Sequence, residues 1–186
     1  MQTSLEGMLF TVAVLILSVI VHEIAHGYAA NALGDPTAKL AGRLTLNPIP
    51  HIDPIGSVLI PGLMVLTNAG MLFGWAKPVP YNPYNLKNQR WGEAIVGIAG
   101  VATNLALAIV FALIARFSLA SGEQVFAGLA AIICYVNLFL GLFNLIPFPP
   151  LDGFTVLRGL LPYRMSVSLR AVEQNLGGVV GLLGIL

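Results

Sequence analysis

His22-Glu23-Ile24-Ala25-His26 sets two imidazoles four residues apart, with a carboxylate next to the first. On a helix, positions four apart lie nearly one above the other, so both rings can reach one ion. Zinc suits two neutral imidazoles and a carboxylate, with a fourth position left open to water. The ion lowers the pKa of such a water to about 7 and polarises an attacked carbonyl. The pattern predicts metal-assisted hydrolysis, with His22 and His26 as ligands and Glu23 as the base that takes the proton. The competing reading is a chance match. It fits poorly here, because the three groups stand at the end of an apolar helix, where each charge costs roughly several kcal/mol.

The elements that must carry these residues follow from composition. Of 186 residues, 57% are hydrophobic and 9% charged, and the mean hydropathy is +0.86. Soluble domains carry about 25% charged residues, so the chain reads as an integral membrane protein. A net charge of +1 argues against nucleic acid as a partner. The single cysteine, Cys134, excludes an intrachain disulfide and a cysteine-based metal cluster within one chain. A membrane-crossing helix needs about 20 mostly apolar residues, and three segments qualify: residues 7–33, 92–117 and 125–146. Residues 1–6 contain no Lys or Arg, so the first segment lacks the basic start of a secretory signal and reads as a retained helix.

Residues 37–54, which open a strand-containing and re-entrant region expected over 37–90, break the helical pattern. Leu40, Leu44 and Leu46 alternate with polar residues, as in short strands, and Pro48, Pro50 and Pro54 stop them. The apolar run from Ile55 to Trp75 is interrupted by Gly56, Pro61, Gly62, Asn68, Gly70 and Gly74, and a proline-rich loop, Ala76–Pro83, follows. The third span ends at Pro147-Phe148-Pro149-Pro150-Leu151-Asp152-Gly153, and residues 154–186 read as C-terminal helices. The expected fold is an all-α polytopic membrane protein forming one domain. It has a core of three transmembrane helices, a strand-containing and partly re-entrant segment, and a C-terminal helical region.

Charge arithmetic tests the topology of Ile55–Trp75. If the segment is re-entrant, Lys39, Arg43, Lys77, Lys87, Arg90, Arg158, Arg164 and Arg170 share one face and only Arg116 lies opposite. If it spans, Lys39, Arg43 and Arg116 oppose the other six. The positive-inside rule favours the first count and makes the basic face cytoplasmic. A third metal ligand is also required. Glu6, Glu93, Glu123 and Glu173 stand near helix starts or polar connections and read as solvated, and Asp35 before Pro36 reads as a turn residue. Asp152 follows a membrane helix in an apolar setting, although a turn-capping aspartate before Gly153 remains an alternative. With a re-entrant segment, His22, His26 and Asp152 lie at similar depth; with a spanning one they fall at opposite faces.

His22-Glu23-x-x-His26 in one membrane helix, Gly100-x-x-x-Asn104 in the next, and Asn144-x-x-Pro147-x-x-x-Leu151-Asp152-Gly153 after the third together form a specific pattern. It resembles the site-2 protease family of intramembrane zinc metalloproteases over about residues 8–165. The stretches Gly42–Pro54 and Gly74–Pro80 look like its compact prokaryotic branch. The resemblance implies one zinc per chain held by His22, His26 and Asp152, Glu23 as general base, and Asn104 and Asn144 lining the catalytic site. It also implies regulated cleavage in or near transmembrane segments of membrane proteins, in a prokaryotic cell membrane, with the site toward the cytoplasm. Members with PDZ domains insert them between the second and third core helices, where this chain has only Ser118–Gln124.

Two readings stand for several residues. Asn104 either bonds across helices or donates to the developing oxyanion; for Asn137 the structural role is favoured. Gly97 and Gly100 read as close-packing residues. His51, near Asp53, is either an ordinary loop histidine or folds over the metal-bound water as an auxiliary ligand, acid–base group or gate. An unwound substrate is expected to pair with the strand edge in Lys39–Leu46. The partners expected are a transmembrane protein substrate and the lipid bilayer; oligomeric state is left open. The alternative functions are a membrane zinc-binding or transport protein, or a catalytically silent homologue that acts as a binding module. The presence of Glu23 argues against both.

Overall fold

The structure, a computed structural model, describes residues 5–67, 75–162 and 165–171. Among the described residues three helices are long and apolar enough to cross a membrane: α1 (Leu5–Ala32), α4 (Gln89–Ala120) and α5 (Gln124–Asn144). The shorter α2 (Thr37–Leu40), α3 (Ile60–Leu66) and α6 (Asp152–Leu160) connect or follow them. All three expected spans are present. α4 runs further at both ends than the hydropathy pattern predicts and takes in Ser118–Ala120, so only residues 121–123 separate it from α5.

Helix packing explains which faces turn inward. Val14, Ser18, His22, His26 and Ala30 recur at four-residue spacing and form the buried stripe of α1. In lipid, apolar side chains gain little by facing another helix, so small and polar groups take the contacts. Accordingly Asn137 of α5 donates to Ser18 Oγ at 2.9 Å and also to the Ile133 carbonyl. This is the favoured structural role for Asn137. Gly141 of α5 admits the Leu105 side chain of α4, and Gly97 of α4 admits Thr155 and Val156 of α6.

The expected strands in Lys39–Leu46 are absent; among the described residues there is no strand. Thr37–Leu40 is instead a single helical turn, and residues 44–46 are bends. Local hydrogen bonding explains the difference. Asp35 accepts from Thr37 N and Oγ1 and starts the turn, and Gly42, at φ +65°, reverses the chain. The Gly42 and Arg43 amides then donate back to Lys39 O and Ala38 O. With these groups satisfied within the turn, the alternation of Leu40, Leu44 and Leu46 has no ladder to join.

The run beginning at Ile55 opens with a π-helical stretch, Pro54–Leu59, capped by the Asp53 carboxylate, and continues into α3. The seven residues of α3 are far short of a span. Trp75 N donates to Gly56 O at 3.1 Å, and Ser57 Oγ donates to Trp75 O at 2.8 Å, so the segment starts and finishes at one place. Asn68, Gly70 and Gly74 lie outside the described residues, as does the expected terminal helical stretch near Leu176.

Glu93 corrects a further expectation. It is 3% exposed rather than solvated, and its carboxylate pairs with Arg158 of α6 at 2.7 Å and with Arg170 of the helical residues 165–171. Two guanidinium groups repay the desolvation of one carboxylate and lock both C-terminal elements onto the start of α4. Glu6 and Glu123 are exposed as expected, and Glu173 lies outside the described residues.

Candidate metal centre

α1 delivers His22 and His26 on adjacent turns, and α6 delivers Asp152 from its first position, immediately after the turn that ends α5. His22 Nε2 and His26 Nε2 are 3.0 Å apart, and Asp152 Oδ2 lies 2.8 Å from the first and 3.2 Å from the second. Among the described residues this is the group of histidine, cysteine and acidic side chains whose ligand atoms converge.

The surroundings fix the tautomers. His22 Nδ1 lies 3.1 Å from Asn104 Oδ1, and His26 Nδ1 lies 2.7 Å from the Val96 carbonyl. Both partners are acceptors in this arrangement, so each Nδ1 carries the hydrogen and each Nε2 presents a lone pair. Two lone pairs and a carboxylate oxygen facing one another repel unless a cation stands between them. Two nitrogens and one oxygen, each about 3 Å from the next, match the edges of a tetrahedral zinc site whose fourth position is open. The residues present fit zinc.

Gly100 provides the space. A Cβ at this position would fall 2.5 Å from His26 Nε2 and 2.7 Å from His22 Nε2. The glycine read from sequence as a helix-packing residue is thus the floor on which both imidazoles rest. Gly153 similarly lets the start of α6 press against the Leu145 and Ile146 carbonyls, which seats Asp152.

Asn104 is fully buried and orients His22 through its Oδ1, while its Nδ2 has no partner. The cross-helix role expected of it is present. Asn144 donates to Leu140 O within its own helix at 3.0 Å. His51 is buried and its Nε2 lies 2.9 Å from Thr45 O, so its imidazole is tied into its own loop and is not in the converging group. Glu23 accepts a hydrogen bond at Oε2 from the Val79 amide at 2.8 Å.

Sequence reasoning did not find the Val79 amide, the Val96 carbonyl or the seating role of Gly100. Main-chain groups leave no mark in a residue pattern. Asp35, read as a turn residue, is fully buried and accepts from Thr37, Asn82 and Asn85. Hydrogen bonds to Thr37 and Asn85 hold its carboxyl below the usual carboxylate range against the upward push of burial. Its place between Gly34 and Pro36 signalled the turn but not the long-range donors.

The sequence is 42% identical over 177 residues to "Putative zinc metalloprotease YwhC" of Bacillus subtilis, which covers 91% of this chain and 77% of that protein. The chain belongs to peptidase family M50, the site-2 protease family. The M50 family profile itself matches residues 118–186, the part that contributes Asp152. This M50 chain is also 28% identical over 159 residues to "Putative zinc metalloprotease Rip2" of Mycolicibacterium smegmatis and of Mycobacterium tuberculosis, spanning 60% of those proteins. No solved structure matches it. The three-residue link between α4 and α5 places this M50 member in the compact group, with no PDZ domain at that point.

Proposed function

We propose that the chain is an intramembrane zinc endopeptidase that hydrolyses peptide bonds in or near the membrane-spanning segments of other proteins. The observation that carries this reading is the meeting of His22, His26 and Asp152 beside Glu23, on helices able to cross a membrane. His22 Nε2, His26 Nε2 and Asp152 Oδ2 hold one zinc per chain. Bound there, zinc supplies a Lewis acid for the scissile carbonyl and acidifies solvent for attack.

Glu23 takes the proton from the attacking solvent and returns it to the departing nitrogen, so one carboxylate serves as base and then as acid. Asn104 and the Val96 carbonyl keep the imidazoles in the ligand tautomer, and Gly100 keeps them at their depth. A helical substrate hides its carbonyls in its own hydrogen bonds, as lipid demands, so it unwinds before cleavage. The absence of strands in Lys39–Leu46 removes the edge on which it was expected to lie.

The chain crosses the bilayer with α1, α4 and α5, and the run from residue 55 to residue 75 is re-entrant, which sets the site toward the basic, cytoplasmic face. The test is hydrolysis of a fluorogenic leucine–alanine transmembrane peptide in lipid vesicles, with zinc measured for each protein. Wild type cleaves and Glu23→Gln keeps its zinc but loses roughly 100- to 10,000-fold in turnover. Zinc binding without cleavage by wild type would leave a metal-binding protein instead.

A further inference from the structure

We propose that the main-chain amide of Val79 is a positioning group that aims the Glu23 carboxylate at the reacting solvent. The inference rests on Glu23 acting as the base. Glu23 sits on a flexible side chain with two equivalent oxygens, and proton transfer requires one of them to face the nucleophile. The Val79 N–H fixes Oε2 at 2.8 Å. A charge-assisted bond of this kind is stronger than a neutral one, and it leaves Oε1 as the oxygen free to accept the proton.

The donor is built to hold still. Val79 stands between Pro78 and Pro80, whose rings fix their own φ and bias the residue before each toward extended backbone. Neither proline has an N–H that could compete for the carboxylate. Two residues earlier in this strap, Lys77 N donates to His51 O at 2.9 Å and Lys77 O accepts from Arg43 Nη2 at 2.5 Å. Three residues later, Asn82 N donates to the buried Asp35 Oδ2 at 2.6 Å. The strap is therefore clamped on both sides of Val79 by side chains and backbone of the loop that follows α1.

The seat on α1 is matched to it. Gly27 lies one helical turn beyond Glu23, and a Cβ there would stand 3.0 Å from Val79 Cγ1 and 2.5 Å from Leu44. The missing side chain lets the valine settle against the helix while its amide reaches the glutamate. This arrangement gives Arg43, His51 and Asp35 a shared task as the mount of the strap, which none of them reveals alone.

The test replaces the Val79 amide by an ester in the full-length chain, using the hydroxy-acid analogue of valine, which removes the donor and keeps the side chain. With the vesicle-borne leucine–alanine peptide as substrate, kcat falls about 10- to 100-fold while KM and zinc content hold at wild-type values. An ester at Ala76 controls for the backbone change. A second measurement needs no altered backbone: in metal-free protein labelled with 15N-valine, the Val79 amide proton moves upfield and exchanges faster in Glu23→Ala than in wild type. An unchanged kcat for the Val79 ester, with Glu23→Gln inactive, overturns the positioning role and leaves the base intact. An unchanged Val79 resonance in Glu23→Ala overturns it as well. Turnover surviving in Glu23→Gln overturns the base and, with it, the positioning role.

Discussion

Replacing Gly100 by alanine tests whether the floor of the metal centre is as tight as its geometry requires. The added methyl carbon falls 2.5 Å from His26 Nε2 and 2.7 Å from His22 Nε2, whereas ordinary contact begins at 3.4 Å. The His26 ring must withdraw by about 0.9 Å, several times the roughly 0.2 Å over which metal–ligand distances vary. Disturbing the support of metal ligands costs about 10- to 100-fold in metal affinity, equivalent to about 1.4–2.8 kcal/mol. Helix propensity pushes the other way, because alanine is favoured over glycine by about 1 kcal/mol in a helix interior, so a weaker helix cannot account for lost zinc. The assay is chelator competition on purified protein in micelles, with Gly128→Ala as control, since a Cβ at that position meets nothing within 4 Å. Zinc affinity within about twofold of wild type in Gly100→Ala would refute the seating role.

Three further outcomes follow from other contacts. Asn104→Leu keeps the branched heavy-atom skeleton but removes the acceptor at His22 Nδ1, and zinc binding weakens by about 10- to 100-fold in the same competition assay; an unchanged affinity would deny Asn104 its orienting role. Glu93→Ala removes the carboxylate that pairs with both Arg158 and Arg170 and costs about 3–5 kcal/mol, read as a fall in thermal midpoint, whereas replacing Glu93, Arg158 and Arg170 together by apolar residues recovers most of the loss. The carboxyl of Asp35 is held below its ordinary value of 3.8, so its contribution to stability is complete above that value and disappears as pH falls through the lower folded one. Melting curves of wild type and Asp35→Asn should therefore keep a constant separation above about pH 5 and converge below about pH 4; a separation that persists at the acid end would contradict the linkage.

Where the residue pattern spoke clearly, it spoke through side chains whose cost in lipid demands a reason. His22, Glu23 and His26 are expensive in an apolar helix, and Asp152 is an acid stranded among prolines and leucines, so all four stood out before any coordinates. The three spans were equally plain, because uninterrupted apolar length leaves few alternatives. Lys39–Leu46 misled because two-residue alternation is shared by strands and by compact turns, and the deciding hydrogen bonds, from Thr37 to the Asp35 carboxylate, are made over short range to a single side chain. Glu93 misled for the opposite reason. Its two arginines are distant in sequence, so nothing near it announced that its charge would be matched. Gly100 was recognised as a close-packing residue, but what it packs against depended on the relative placement of α1 and α4.

The two imidazoles come from α1 and the carboxylate from residue 152, beyond α5. A polypeptide being threaded into the bilayer thus holds both imidazoles well before it has the carboxylate. The metal site is complete only when α6 has brought Asp152 against α1. A chain cut anywhere before Asp152 keeps both imidazoles and lacks the carboxylate that joins them.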